Sequence, residues 1–163
     1  MTGAPPSSPG ELVHASCIAI GDHAALIMGP SGSGKSDLSL RLIDRGAMLV
    51  SDDYTQLHRD MATDMVIASP PDTIAGRIEA RGLGILAIPW RGGVPVALVI
   101  ALAADGEQPV ERLPMTPEYR TLCGRDIPLF RLMAFEASTP IKLEHALRAC
   151  AGLASRPDMG TDL

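Results

Sequence analysis

Short apolar runs separated by polar turns dominate the chain. Runs of this length favour β-strands, and those without strict alternation are typical of strands that are buried on both faces. Strands are predicted over residues 12–20, 24–28, 47–51, 55–59, 65–69, 83–88, 94–103 and 127–135. The run 94–103 contains no charged residue, so it is the predicted centre of the sheet. Gly21-Asp22-His23 separates the first two runs and predicts a hairpin turn.

Three segments carry apolar residues at helical spacing instead. Residues 37–44 form such a segment, and Gly46 follows as a stop signal. Residues 72–81 are predicted to be a short helix, and residues 139–153 a closing helix with one broad apolar face. Residues 116–126 are polar and are predicted to be irregular. The pattern as a whole predicts an α/β fold with a mixed, largely β central sheet and flanking helices.

Composition indicates one soluble domain. A chain of 163 residues that is 46% hydrophobic can build one core, but not two ordinary domains. The net charge of −5 argues against nucleic acid as a partner, and no apolar run is long enough to cross a membrane. The first ten residues lack the features of an export signal, which predicts a cytoplasmic protein. We expect disordered tails at 1–10 and 155–163 around a domain at 11–154.

The strongest candidate for chemistry is the segment Gly29-Pro30-Ser31-Gly32-Ser33-Gly34-Lys35-Ser36, which we call the glycine-rich loop. It matches G-x-x-x-x-G-K-[ST] and lies between a predicted strand and a predicted helix. Small residues let successive backbone N–H groups face one point, and the helix N-terminus adds a positive dipole end. The motif predicts a nucleoside triphosphate site, with Lys35 at the β/γ-phosphates and Ser36 at Mg²⁺.

Two adjacent aspartates, Asp52 and Asp53, follow the predicted strand 47–51. Strand, helix and strand form a predicted βαβ unit, so we expect strand 47–51 to lie beside strand 24–28. A carboxylate at that edge of the sheet is suited to hold Mg²⁺ or its water. Because side chains alternate along extended backbone, one aspartate is expected to face the metal and the other the acceptor. The spacing leaves open which one does which.

Other residues carry weaker signals. His14 lies inside the first predicted strand, where a lone histidine is more often a core or edge residue than a catalyst. Glu79 precedes a glycine-rich turn suited to metal and phosphate contacts, although such a mixture is also ordinary at a helix end. Cys17, Cys123 and Cys150 form no C-x-x-C pair and are predicted to be buried or bystander thiols.

Together these segments resemble the catalytic domain of HPr kinase/phosphorylase, the enzyme that phosphorylates a serine of the phosphocarrier protein HPr. The resemblance rests on His14, the glycine-rich loop, residues 45–53 and residues 78–85, in the order of the family. The last two stretches resemble the family patterns R-G-h-x-L-h-x-D-D and L-E-I-R-G-L-G-I. The similarity extends from about residue 10 to residue 150. It implies a single domain with the HPr kinase and PEP carboxykinase-like nucleotide-binding core.

The resemblance also implies a role for each matching residue. The glycine-rich loop would bind ATP, and Ser36 and Glu79 would bind Mg²⁺. The implied catalytic residues are the general base Asp53 and, beside it, Asp52, His14, Lys35 and Arg112. Arg112 matches an arginine that follows the long central strand of the family. Such a set fits phosphoryl transfer, because a serine hydroxyl needs a proton acceptor and the transferring group needs positive charge.

The chain departs from the family pattern at two places. The family usually carries an additional N-terminal domain, for which this chain has no room, so we expect a short form with only the catalytic domain. The hexamer of the family is therefore not implied, although a homo-oligomer is still allowed. Residues 132–138 stand where the family has a P-V-R-P-G-R-N type loop tied to the reverse, phosphate-dependent reaction. Both arginines of that loop are missing, which predicts weak or absent phosphorylase activity.

Two other functions stay open on the residues alone. A small-molecule kinase or ATPase with this loop would usually need a lid rich in arginines, and no insertion of that length is visible. A non-catalytic ATP-sensing module would not need to retain Asp53 and Glu79. An Asp53→Asn variant separates these functions, since a sensor would keep binding and a kinase would lose turnover.

Overall fold

The computed structural model describes residues 10–103 and 110–152. Its helices are α1 (Lys35–Asp44) and α2 (Thr139–Cys150). Its strands are β1 (Glu11–Val13), β2 (Ala15–Ile20), β3 (His23–Met28), β4 (Met48–Ser51), β5 (Thr55–Arg59), β6 (Val66–Ser69), β7 (Arg77–Ala80), β8 (Gly84–Ala87), β9 (Val94–Ala103), β10 (Glu118–Leu122) and β11 (Arg125–Met133). The predicted tails lie outside the described residues, apart from Gly10. Neither helix is long and apolar enough to cross a bilayer.

Nine of these strands form one mixed sheet in the order β1-β5-β6-β9-β3-β2-β4, to which β11 is joined through β9 and β10 through β11. The long strand β9 is its centre, because it pairs in parallel with β3 and β11 and antiparallel with β6. Strands β7 and β8 form a separate antiparallel hairpin. The predicted central strand, the hairpin of β2 with β3, and the largely β character of the sheet are confirmed.

Two hydrophobic cores lie on opposite faces of the central strands. In one core, Ile27 of β3 packs with Leu42 of α1 and Leu143 of α2. In the other core, Leu26 of β3 packs with Leu57 of β5 and with residues of β6, β10 and β11. Burial on both faces explains why the central strands appear in the sequence as continuous apolar runs. It also holds the end of β3, and with it the glycine-rich loop, in a fixed position.

The helix predicted over residues 72–81 is wrong. The chain turns over residues 72–76 and then forms β7, in which Ile78 and Ala80 are buried while Arg77 and Glu79 are exposed. This alternation has the two-residue period of a strand, and β7 pairs antiparallel with β8. Isoleucine residues spaced four apart in the sequence imitated a helical face.

Two further predictions need correction. Residues 116–126, predicted to be irregular, contain β10, which forms a hairpin with β11 through the turn Cys123-Gly124. The first predicted strand is interrupted at His14, which lies between β1 and β2 instead of inside a strand. The interruption falls where pairing changes, because β1 pairs with β5 whereas β2 pairs with β3 and β4.

The expected neighbour of strand 47–51 is also wrong. The strand found there, β4, pairs antiparallel with β2, and β2 lies between β4 and β3. Because β2 is antiparallel to both of them, β3 and β4 still run in the same direction. The C-terminal ends of β3 and β4 therefore lie on the same side of the sheet. Asp52 and Asp53 follow β4 there, and the glycine-rich loop follows β3.

Two of the cysteines are buried, as predicted. Cys17 of β2 is fully buried, and desolvation raises the pKa of its thiol far above the usual range. Desolvation by burial also raises the pKa of Cys123, in the turn between β10 and β11. Because the thiolate is the reactive form of cysteine, neither residue is suited to nucleophilic chemistry.

Leu42 anchors α1 in the core and provides a test of this packing. Its side chain is fully buried, so Leu42→Ala removes apolar contacts and leaves a cavity, which should lower the free energy of unfolding by about 2–5 kcal/mol. Urea unfolding followed by circular dichroism measures the change. The matched variant Leu113→Ala, at a side chain that is 67% exposed, should change it by less than about 0.5 kcal/mol. Equal effects of the two variants would contradict the described core.

Candidate functional site

The glycine-rich loop joins the end of β3 to the start of α1 and depends on glycine at specific positions. A Cβ atom at Gly29 would lie 2.5 Å from Ser33 Oγ, and one at Gly34 would lie 2.9 Å from Cζ of Phe135. Gly34 also has a φ of 100°, in the left-handed region that favours glycine. No larger residue fits at either end of this turn without displacing its neighbours. The loop conformation thus follows from the residues that define the motif.

Lys35 is the first residue of α1, and its side chain folds back into the loop. Its Nζ donates hydrogen bonds to the carbonyl oxygens of Gly29 at 2.8 Å and Pro30 at 3.1 Å. Burial lowers the pKa of Lys35, while the charges of Asp53 and Asp52 act in the opposite direction. The ammonium group therefore lies inside the loop, close enough to both aspartates to be influenced by them.

Ser33, in the middle of the loop, has a buried hydroxyl group. Its Oγ has no hydrogen-bond partner among the described residues. Buried polar atoms are nearly always paired, so an unpaired one needs an explanation such as a ligand or a water molecule. The observation is consistent with a loop shaped to receive a polar group.

Asp52 accepts hydrogen bonds from three parts of the fold. Its Oδ1 accepts from Ser36 Oγ at 2.7 Å and from Ser16 Oγ at 2.9 Å. Its Oδ2 accepts from the backbone N–H of Glu79 at 3.0 Å. This buried carboxylate thereby joins the helical end of the loop to β2 and β7.

Asp53 has a different environment from its neighbour. Its φ is 68°, in the left-handed region, and its side chain is 58% exposed. Oδ1 of Asp53 lies 2.8 Å from Nε2 of His14. The ring of His14 in turn stacks on Tyr54, with the ring centroids 5.1 Å apart. The two aspartates thus face separate surroundings, as expected, but a left-handed turn produces the separation in place of alternation along extended backbone.

Two predicted site residues are less closely connected. Glu79 donates its backbone N–H to Asp52, and its side chain is exposed on β7. Arg112 lies on an exposed segment after β9, and no hydrogen bond or ion pair connects it to the site within 10–103 and 110–152. The structure therefore brings together His14, Asp52, Asp53 and the glycine-rich loop, whereas in the described part of the chain Arg112 has no hydrogen bond or ion pair with them.

Sequence reasoning missed the roles of four residues of this region. Ser16 contacts both aspartates, because its Oγ also accepts the N–H of Asp53 at 3.2 Å. Tyr54 stacks on His14. Phe135 lies against Gly34, and Arg41 of α1 donates to the carbonyl oxygens of the residues on either side of it. Two of them carried a signal: Tyr54 stands next to the aspartate pair, and Phe135 lies within the segment 132–138.

The residues present fit a phosphate group and a hard cation. Backbone N–H groups, a helix N-terminus and a buried ammonium group suit phosphate oxygens. The Ser36 hydroxyl and the Asp52 carboxylate suit Mg²⁺, which is usually bound by one or two carboxylates together with substrate phosphates and water. No group of three or more His, Cys, Asp or Glu residues that could hold a metal occurs in the described part of the chain. A Mg²⁺ ion bound by Ser36 and Asp52 would take its other ligands from phosphate and water.

Comparison with known proteins identifies relatives that align with most of this chain. The family model of the HPr serine kinase C-terminal domain matches residues 7–139. Relatives named HPr kinase/phosphorylase include a Cupriavidus necator protein that is 32% identical over 150 residues and a Peptoclostridium acidaminophilum protein that is 33% identical over 134 residues. These alignments cover 87% and 77% of this chain, and 46% and 42% of the relatives. The chain thus spans less than half the length of these relatives.

A solved structure gives the same result for the fold. It is described as the structure of the Hpr(Ser) kinase/phosphatase from Coxiella burnetii, and it matches with a TM-score of 0.74 and 29% sequence identity. The match covers 88% of this chain and 92% of that chain. It supports the mixed α/β fold with a large, mostly β sheet. Since the family model spans most of its length and relatives more than 30% identical to it carry the family name, this chain belongs to the HPr serine kinase C-terminal domain family.

Proposed function

We propose that this chain is a cytoplasmic protein kinase that transfers the γ-phosphoryl group of ATP, with Mg²⁺, to a serine hydroxyl of HPr. The observation that carries the proposal is the arrangement of the aspartate pair. Asp52 is bound to Ser36 of the glycine-rich loop, and the exposed Asp53 next to it is paired with His14. The names of the relatives support HPr as the acceptor.

The glycine-rich loop would hold the triphosphate. Lys35 already lies within the loop, where its protons are shared between two carbonyl oxygens. Phosphate oxygens would compete for these protons, because hydrogen bonds between charged groups are stronger than those to neutral carbonyls. Lys35 would then neutralise charge on the β- and γ-phosphates.

Ser36, Asp52 and Glu79 would hold the metal. When bound, Mg²⁺ supplies positive charge to the phosphate oxygens. The Ser36 hydroxyl and the Asp52 carboxylate already lie together at 2.7 Å. Glu79 follows from the family resemblance, and the hydrogen bond from its backbone N–H to Asp52 supports this assignment.

Asp53 is the better candidate for the general base. The oxygens of Asp52 are buried and already accept three hydrogen bonds, whereas the side chain of Asp53 is 58% exposed. An acceptor hydroxyl can therefore approach Asp53 directly. In the proposed reaction, the serine oxygen bonds to the γ-phosphorus as its proton passes to Asp53. The bond between the γ-phosphorus and the β–γ bridging oxygen breaks, leaving ADP.

The histidine and arginine would assist this reaction in different ways. His14 holds one oxygen of Asp53, and its stacking on Tyr54 orients the imidazole ring. Arg112 would add positive charge at the transferring group, a role that rests on the family resemblance alone.

We also propose that the reverse reaction is weak or absent. The segment 132–138 lacks the two arginines found in the family pattern. At its centre Phe135 lies against Gly34 of the loop, a position in which an apolar ring offers no hydrogen bond to inorganic phosphate. Binding of a free phosphate nucleophile would therefore lack its cationic partners.

The first test is transfer of label from γ-labelled ATP to purified HPr. Asp53→Asn keeps the shape of the side chain but removes the proton acceptor, so transfer should fall by about 10²–10⁴-fold while ATP binding is retained. The control is Asp126→Asn, which makes the same change in charge. Asp126 lies in the β10–β11 hairpin, at the end of β11 that is distant from the glycine-rich loop, so this variant should retain full activity. Normal transfer by Asp53→Asn would refute the role of Asp53. Absence of label with wild-type protein that binds ATP would refute the kinase proposal and favour a sensor or another acceptor.

Lys35 provides a separate test of nucleotide binding. Lys35→Ala removes a charged donor from the loop, and loss of a hydrogen bond to a charged group corresponds to about a 10–100-fold weaker affinity. Isothermal titration calorimetry with ATP and Mg²⁺ measures this affinity. Arg148→Ala removes one positive charge from the exposed side of α2 and serves as the control. If both variants bind ATP as the wild type does, the loop is not the nucleotide site.

The absence of the reverse reaction is tested with phosphoserine-HPr and inorganic phosphate. We expect no formation of pyrophosphate above the level given by the Asp53→Asn variant, because the segment 132–138 contributes no positive charge to bind phosphate beside the loop. Forward kinase activity in the same preparation shows that the protein is intact. Robust release of pyrophosphate would show that other cations replace the missing arginines.

A further inference from the structure

Ser16 occupies a position that links the two aspartates. It is fully buried on β2, and its Oγ donates to Asp52 Oδ1 at 2.9 Å while accepting from the Asp53 N–H at 3.2 Å. A hydroxyl group has one proton and two lone pairs, so it can make both hydrogen bonds at once. The hydrogen bond to Asp52 orients the Ser16 proton and leaves a lone pair for the Asp53 amide.

The backbone of Asp53 needs this kind of support. A φ of 68° is rarely adopted by residues other than glycine, and it persists only where surrounding contacts hold it. Two other hydrogen bonds close the same turn, since Tyr54 N–H donates to the Asp52 carbonyl at 2.8 Å and Ser51 Oγ donates to the Tyr54 carbonyl. Of these groups, the Ser16 hydroxyl alone bonds both to the Asp53 amide and to the Asp52 carboxylate.

We propose that Ser16 is a positioning residue for the kinase reaction. It holds Asp53 in the left-handed turn that presents its carboxylate to His14 and to the acceptor, and it fixes this turn relative to the Asp52–Ser36 pair. The base and the phosphate-binding loop are thereby held at a constant separation. The inference rests on the proposed function, because it assigns Ser16 to the same reaction.

Thr55 is a suitable control for a general effect on stability. Its hydroxyl is also fully buried and donates to the Ala15 carbonyl at 2.8 Å, next to Ser16 in the chain. Its side chain makes no hydrogen bond to either aspartate. Thr55→Val therefore removes a buried hydrogen bond between the same parts of the sheet while keeping the shape of the side chain.

The experiment compares the wild type, Ser16→Ala, Ser16→Cys and Thr55→Val in the full chain. For Ser16→Ala we expect kcat for phosphorylation of HPr to fall by about 10–100-fold, because small displacements of a catalytic group cost rates of this order. The Kd for a non-hydrolysable ATP analogue with Mg²⁺ should change by less than about threefold, because Lys35 and Ser36 remain in place. A threefold change corresponds to less than about 1 kcal/mol of binding free energy. Ser16→Cys keeps the shape of the side chain and a weak hydrogen-bond donor, so its kcat should lie between those of the wild type and Ser16→Ala. Thr55→Val should retain the kcat of the wild type.

A second measurement does not depend on activity. Hydrogen exchange at the Asp53 amide, followed by NMR, should accelerate in Ser16→Ala because the amide loses its acceptor, and should be unchanged in Thr55→Val. Unchanged kcat, or unchanged exchange at Asp53 in Ser16→Ala, would overturn the inference. A loss of nucleotide affinity equal to the loss of kcat would also overturn it, because Ser16 would then act on the loop as a whole.

The two proposals fail in different ways. If the wild-type chain does not phosphorylate HPr, the proposed function fails whatever Ser16 does. If the wild type is active and Ser16→Ala is equally active, only the positioning role fails. Circular dichroism shows whether Ser16→Ala is folded. If it is unfolded, Ser16→Cys becomes the test, and a wild-type kcat together with wild-type hydrogen exchange at the Asp53 amide would refute the positioning role.

Discussion

The Asp52 carboxylate is the interaction on which the arrangement of this site depends. It is 7% exposed and accepts hydrogen bonds from Ser36 at the start of α1, from Ser16 on β2 and from the backbone of Glu79 on β7. These donors come from three elements that are far apart in the chain. Asp52 therefore connects the loop, the sheet and the β7–β8 hairpin through one side chain, and both of its oxygens are satisfied, as a buried polar network requires.

The surrounding fold holds this arrangement from the opposite side. Helix α1 is anchored by Leu42 in the core that contains α2, and its C-terminal cap Arg45 forms a two-point contact with Glu144, at 2.6 and 3.1 Å. A paired guanidinium and carboxylate gives defined geometry as well as energy. Because α1 begins at Lys35, fixing the helix also fixes the lysine and serine of the glycine-rich loop relative to the aspartates.

Local signals in the sequence were sufficient for part of this structure. The glycine-rich loop, the hairpin of β2 and β3, and β9 each follow from residues that are close together in the chain. The position of β4 could not be derived in this way, because it depends on β2 entering between β3 and β4. The strand β7 was mistaken for a helix since Ile74 and Ile78 satisfy a helical spacing, and Ser16 showed no signal because its role depends on residues about 36 positions away.

The two aspartate side chains lie apart for a different physical reason from the one expected. Adjacent residues were expected to face apart because side chains alternate along a strand. In the structure the chain has already left β4, and the φ of 68° at Asp53 produces the separation. Side chains would alternate if the strand continued, whereas this turn is closed by a backbone hydrogen bond from Tyr54 to Asp52 and by the hydroxyl groups of Ser16 and Ser51. The buried and exposed members of the pair are therefore not interchangeable: the backbone conformation of Asp53, whose N–H bonds to Ser16, separates its exposed carboxylate from that of Asp52, which contacts the loop.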